Sequence, residues 1–331
     1  MSNKLGDRPN LPDNPVKFMH RLRFYIRQQG LSAATEKSYC GWTKRFIKYH
    51  HLRSPESMNK RHVEQFLHNL VVVENVTINT QKSALNSLAF LFNRFLDSPL
   101  GELNITRAKL GPKIPTVLSH KEALNVICAV EPQKQLVLQL LYGSGLRLNE
   151  ALSLRLRDLD LEANKLRVEN GKGGKNRLTI LPRSVHDNLK LQIEIVRRLH
   201  ESDLANGHGW AFSGEHQIDA ANKRLQTLPW QFLFPAKALS YGPRSKKPVR
   251  YHLSDTSIQR SVRHAANKIG LTKEIGPHSF QHSFATRLLE SGTNIRVVQK
   301  LLGHACVSTT EIYTHVLHKH GYRLKSPMDE L

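Results

Sequence analysis

QLVLQLLYGSGLRLNEALSLRLRDLDLEANKLRVENGKGGKNRLTILP, residues 135–182, changes period twice. It begins apolar all round, as a buried helix does, and halts at Gly143-Ser144-Gly145. A second helical pattern, LRLNEALSLRL, follows the glycines. From Lys165 the period falls to two: KLRVE and RLTIL alternate apolar with polar residues, as half-buried strands do. Asn170 through Lys175 form a glycine-rich turn between those strands, with Lys172 at its tip, where glycines let backbone approach a ligand closely. Helix, tight turn, helix and hairpin in that order predict a mostly α domain with a small antiparallel β-sheet.

On the C-terminal side a helix is expected at about 184–202, then an irregular stretch over 203–252 that holds Trp210, Trp230 and the run FLFP. Helical patterns return in SDTSIQRSVRHAANKIG from Ser254, PHSFQHSFATRLLESG (277–292), NIRVVQKLLGH and STTEIYTHVLHKH. In the last of these, Ser308 with Glu311 three residues on reads as a capping box that places Tyr313 in the first turns of a short helix. On the N-terminal side LSHKEALNVICAV opens a helix with Ser119 as N-cap, so this domain begins near residue 118. Residues 99–117, with Pro99, Gly101, Gly111, Pro112 and Pro115, show no sustained period and read as a linker. Residues 14–98 carry four helical patterns and no strand. Two lie in 15–50, split at Gly30-Leu31-Ser32, and the others near 60–73 and 79–96, the last starting at Asn79-Thr80. Tyr39, Trp42, Phe46 and Tyr49 recur at helical spacing as a core stripe, and Leu85, Leu88, Phe92 and Phe95 form another. Residues 1–13 are a polar, proline-marked tail.

The 331 residues carry 49 Lys and Arg against 27 Asp and Glu, a formal charge of +22. A basic surface of that size serves a polyanion, and without a Trp-rich amphipathic basic helix nucleic acid is favoured over a membrane. Lys37, Lys44, Arg45 and Lys48, interleaved with the first aromatic stripe, suit a phosphate-contacting face. No apolar run is long enough to span a bilayer. Cys40, Cys128 and Cys306 are far apart and odd in number, which suggests a reducing cytosol and gives no metal knuckle.

Taken singly, the polar residues have plain explanations: a surface Arg147, a hairpin Lys172, a loop His304 after LLGH, a packed Tyr313. Their order does not. Arg in GSGLRLNE, Lys in GKGGKNR, His278 at the start of a helix, LLGH nine residues before the tyrosine, and STTEIYTH resemble the tyrosine recombinases, the phage integrase and Xer group. The resemblance covers nearly the whole chain. It implies a two-domain, C-shaped clamp on DNA, built from a helical SAM-like core-binding domain and a catalytic domain, with four protomers acting together and neither metal nor other cofactor. By the same resemblance Tyr313 is the nucleophile that forms a 3′-phosphotyrosyl link. Arg147 supplies a bidentate fork to the phosphate oxygens, and Lys172 protonates the leaving 5′-oxygen. His278 assists the proton transfer from Tyr313, and His304 hydrogen-bonds a phosphate oxygen. Glu150, one turn from Arg147, is expected to orient that arginine or buttress the helix and not to react.

Position 281, three residues after His278, is where the family carries its second arginine, and here it is Gln281. Both side chains are expected to look out from one helix face toward the DNA. Glutamine can donate a hydrogen bond but brings no charge and no fork, so impaired cleavage is expected, with Arg287 too far along the helix to compensate. The insertion over 203–252, with LLYGSGLRLNE, GKGGKNR and LPWQFLFP, resembles the integron integrases, which recombine folded single-stranded sites to move gene cassettes. The positions that grip extrahelical bases there correspond to Trp230, Pro243 and His252, with Tyr251 standing where the group has another histidine. Three readings stay open at this point: an integron-type recombinase, an Xer- or phage-type recombinase of duplex sites, and a DNA-binding relative with weak or no catalysis. A helix-turn-helix regulator would leave Arg147, Lys172 and Tyr313 without a role.

Overall fold

The structure, a computed structural model, describes residues 11–12, 16–109, 115–169, 176–211, 220–241 and 248–313. Lys172 and Pro243 lie outside the described residues, as does the tail beyond Tyr313. Two compact units divide between Lys113 and Ile114.

The N-terminal unit is α1 (Phe18–Gln28), α2 (Ala33–Tyr49), α3 (Lys60–Val72) and α4 (Ile78–Phe90), the last running on into a wider π-helical turn over Leu91–Phe95. Side-chain oxygens of Ser32, Asn59 and Thr77 accept the first free N–H groups of α2, α3 and α4. The helix expected from Asn79 thus starts earlier, because the Thr77 hydroxyl caps it. Phe46, Phe66, Leu88 and Phe92 fill the core, whereas Tyr49 ends the aromatic stripe at 38% exposure. Glu36 is buried but answered by Arg23 at 2.9 Å and Arg27 at 3.0 Å. The first part of the stretch read as a linker lies along this core: Leu100 is buried, Leu103 and Ile105 pack beside it, and Gln81 bonds the backbone of Thr106 and Ala108.

The C-terminal unit opens with α5 (His120–Ala129), where Ser119 is the expected N-cap and Glu122 completes a capping box with it, then α6 (Pro132–Ser144) and α7 (Leu148–Ser153). Gly145 between α6 and α7 has φ +67°, and a Cβ there would meet the Phe284 ring at 2.4 Å, so the turn requires glycine. Strands β1 (Leu159–Asp160), β2 (Lys165–Val168) and β3 (Arg177–Ile180) make an antiparallel sheet in that order, with Leu166 opposite Thr179 and Val168 opposite Arg177. The Thr179 hydroxyl donates to the Ser144 carbonyl at 2.7 Å, which fixes β3 against the end of α6.

After α8 (His186–Ala205), the stretch expected to be irregular contains a second antiparallel pair, β4 (Pro235–Tyr241) and β5 (Pro248–His252), with a register shift between Pro235 and Leu239. That shift blurs the alternation in the sequence. Helices α9 (Asp255–Lys268), α10 (Pro277–Glu290), α11 (Ile295–Leu302) and α12 (Ser308–Glu311) follow. The capping box expected at Ser308 and Glu311 does not form: Ser308 is already helical, Val307 holds the N-cap position, and Tyr313 lies just past this short helix.

Candidate active site

Tyr313 is 2% exposed, packed in a cluster with Phe284, Leu289, Val298 and Leu302 from α10 and α11. Its hydroxyl lies 2.9 Å from His282 Nδ1, and the His304 ring stacks nearly parallel at 6.4 Å between centroids. His304 follows Gly303, which ends α11 with φ +64°, and its Nδ1 is 2.9 Å from the Thr310 hydroxyl. Burial pushes the Tyr313 phenol up to about 12, and the positive charge of Arg147 pulls it back part of the way. Burial, with His278 nearby, pushes the His282 imidazole down to about 4. A neutral His282 protonated on Nε2 accepts the phenol hydrogen at Nδ1.

Arg147 is the N-cap residue of α7, and Glu150 in the first turn receives both its backbone N–H and its Nη1, at 2.8 and 2.9 Å. Burial raises the Glu150 carboxyl, but the hydrogen bonds from Arg177 and Arg147 outweigh this and hold it below the ordinary carboxylate range. Among the described residues, no hydrogen bond takes up Arg147 Nε or Nη2.

His278 is exposed on the first turn of α10 and makes no hydrogen bond to Tyr313 among the described residues. Gln281 does not share its outlook. It is 5% exposed, and its Nε2 donates to the Gly145 carbonyl at 2.8 Å, because α10 packs across the end of α6. The structure therefore brings together Arg147, His304, Tyr313 and Gln281, adds His282 and Arg177, and leaves His278 at the rim. His282 was legible only as the neighbour of Gln281; nothing in its spacing separated it from His278.

His282 gives a pH expectation. Its folded pKa lies below the unfolded value, so the unfolded chain binds the extra proton and stability rises with pH across about 4 to 6.5. Chemical denaturation at pH 7.5 and 5 should show the chain losing stability on acidification, and His282→Asn should reduce that loss. An unchanged pH slope in the variant would contradict a neutral, buried His282.

The insertion builds a second feature. A cavity of about 230 Å3 is lined by Glu150, Arg155, Asp158, Glu169, Tyr251 and His252, among others. Its Glu150 wall is the same carboxylate that holds Arg147. Tyr251 stacks on His252 with centroids 4.0 Å apart, and Phe232 stands edge-on to both. Burial lowers the His252 pKa and raises that of Tyr251. Asp158 Oδ1 is buried and accepts no hydrogen bond among the described residues. Trp230 lies beside this cavity with Arg157 3.5 Å above its ring and Arg224 and Arg155 at 5.0 and 5.2 Å, while Arg155 also donates to the Trp230 carbonyl. An aromatic face ringed by guanidinium groups suits a base with its phosphate.

Residues 116–320 match the phage integrase family, and residues 18–102 match the phage integrase N-terminal SAM-like domain. Proteins described as "Integrase/recombinase" from Escherichia coli and Pseudomonas aeruginosa are each 37% identical over 99% of this chain and 98% of their own length. Tyrosine recombinase XerD of Halalkalibacterium halodurans is 29% identical over 92% of this chain and 93% of its own. Among solved structures, the XerH recombinase on difH in a pre-cleavage complex aligns with TM-score 0.58 at 20% identity, covering 94% of this chain and 85% of that one. The Tn1549 transposon integrase with circular intermediate DNA aligns with TM-score 0.56 at 16% identity, covering 94% and 97%. Both likenesses concern the fold.

Proposed function

The chain belongs to the phage integrase family of tyrosine recombinases, and from that membership we propose how its residues divide the work on DNA. Tyr313 attacks a phosphodiester, a 3′-phosphotyrosyl bond forms, and the bond to the 5′-oxygen breaks. The phenol proton passes to His282, whose Nδ1 it already faces, with His278 beside that ring. A bound phosphate makes His282 more basic, since an adjacent negative charge favours the imidazolium. Arg147 and His304 hold the non-bridging oxygens as charge develops there, and Lys172 gives the leaving 5′-oxygen its proton. The released hydroxyl of a second strand reverses these steps at another tyrosine, so the reaction conserves bond energy and joins two sites through four protomers. Gln281 leaves this chain slow.

The observation that carries this reading is the meeting of Tyr313 with His282, His304 and the Arg147 charge, drawn from stretches far apart in sequence. The test is a nicked duplex whose cleaved end diffuses away, trapping the covalent complex. Peptide mapping should locate the DNA adduct on Tyr313, and an adduct elsewhere, or none even with arginine restored at 281, rejects the reading.

The substrate we propose is a folded single strand with extrahelical bases, exchanged with a duplex site in the movement of gene cassettes. The cavity at Tyr251 and His252 and the Trp230 face support it. Stacking on an aromatic ring contributes roughly 1–3 kcal/mol per base. Trp230→Ala should therefore weaken binding to a bulged hairpin about 5- to 150-fold while leaving a perfect duplex within about twofold. Gel shifts on the two substrates check it, and equal losses favour a recombinase of duplex sites.

A further inference from the structure

Glu150 serves two guanidinium groups at once. Its Oε1 accepts from Arg147 Nη1 at 2.9 Å and from Arg177 Nη1 at 2.8 Å, and its Oε2 accepts from the Arg147 backbone N–H and from Arg177 Nη2, each at 2.8 Å. Arg177 sits at the start of β3 with its side chain 9% exposed, and its Nε donates to the Leu301 carbonyl at 2.8 Å. Its Cδ would meet a Cβ on Gly303 at 2.8 Å, so the chain leading to His304 passes directly against it. One buried guanidinium thus joins the carboxylate that orients Arg147 to the end of α11 that presents His304.

The charges explain why two arginines share one carboxylate. A buried Glu150 facing Arg147 alone would pair with it fully, and a DNA phosphate would have to compete for the same guanidinium. Arg177 satisfies much of the Glu150 charge, so the cluster keeps a net positive charge directed at the phosphate. This matters more here than it would with an arginine at 281, because Gln281 contributes no charge of its own.

We propose that Arg177 is a positioning residue for strand cleavage. By sharing Glu150 it leaves the outer edge of Arg147 available to the attacked phosphate, and by binding Leu301 it sets His304 beside that edge. This rests on the function proposed above.

The test compares the chain with Arg177→Met, Arg177→Lys and the pair Arg177→Met with Glu150→Gln, each also carrying Gln281→Arg so that slow cleavage stays measurable. Two nicked duplexes are used, one with a normal scissile phosphate and one with a methylphosphonate, which lacks the negative charge that Arg147 answers. Arg177→Met should slow cleavage of the phosphate ~10- to 100-fold, as expected for weakening one charged contact to the transition state. Duplex binding should stay within about twofold, and the methylphosphonate should lose much less than the phosphate. Arg177→Lys should fall between, since it keeps the charge without the fork. The double variant should regain part of the rate, because an uncharged residue at 150 no longer draws Arg147 away from the phosphate, and it keeps the comparison readable should Arg177→Met alone prove unstable. Equal losses on the two duplexes, or a double variant no faster than a stably folded Arg177→Met, overturn the inference. A parent chain that forms no Tyr313 adduct instead removes the function on which it rests, and the inference with it.

Discussion

Gln281→Arg should raise the rate of cleavage on a nicked duplex by about a hundredfold or more, with little change in duplex affinity. Gln281 is buried and its amide already donates to the Gly145 carbonyl at 2.8 Å. It holds the end of α6 against α10, a role that binds no DNA and survives without charge. An arginine at the same place is longer and has five donors, so one N–H can keep the Gly145 carbonyl while the rest of the fork reaches the phosphate beside Arg147. The new contact is strongest when charge develops on the non-bridging oxygens, so it acts on the rate and not on binding. Removing one such fixed donor from a transition state costs about 3 kcal/mol in comparable sites, which corresponds to the hundredfold expected here. Exposed Arg287, already beside Glu290 at 3.5 Å, is not positioned to substitute. Single-turnover cleavage of both proteins, with gel shifts alongside, measures the effect. No gain in rate would mean that position 281 is only a packing residue in this chain.

The parts of this protein set by local pattern could be read from its sequence. The change from a period of 3.6 to a period of two near Lys165 located β2 and β3, and Ser119 as N-cap located the start of α5. Glycine at 145 and 303 marked the turns that present Arg147 and His304. The parts that failed depend on partners distant in the chain. Gln281 and His278 lie on one helix, yet the end of α6 buries the first and leaves the second in solvent. Ser308 and Glu311 have the right spacing for a capping box, but the helix begins one residue earlier than that box requires, with Val307 at the N-cap, and Thr310 within it meets His304. Strands β4 and β5 were hidden because a register shift breaks their alternation and because Arg250, which no strand pattern would place inward, is buried. No local pattern singles out Arg177, whose partners Glu150 and Leu301 come from α7 and α11.

Arg250→Met should destabilise the C-terminal unit by about 3–5 kcal/mol, the usual consequence of leaving a buried carboxylate without its partner. Arg250 lies in β5, its side chain 10% exposed, and makes a bidentate pair with Asp203 near the end of α8, Nε to Oδ2 at 2.5 Å and Nη2 to Oδ1 at 2.6 Å. Its Nη1 donates to the Ala236 and Lys237 carbonyls of β4 at 2.7 and 2.9 Å. The guanidinium is therefore the junction of the β4–β5 pair with the helix beneath it, and methionine fills the volume but answers none of those acceptors. Adding Asp203→Leu should recover much of the loss, since the unpaired charge is the main penalty and a matched apolar pair is often neutral. Urea unfolding followed by tryptophan fluorescence, which Trp210 and Trp230 make sensitive to this region, measures both variants. The same junction carries Tyr251 and His252, the residues next to Arg250 that line the cavity proposed for an extrahelical base. Under conditions where Arg250→Met remains folded, its preference for a bulged hairpin over duplex should fall, and the double variant should restore that preference together with stability. If stability returns and the preference does not, the guanidinium contributes to DNA directly and is more than a support for the strands.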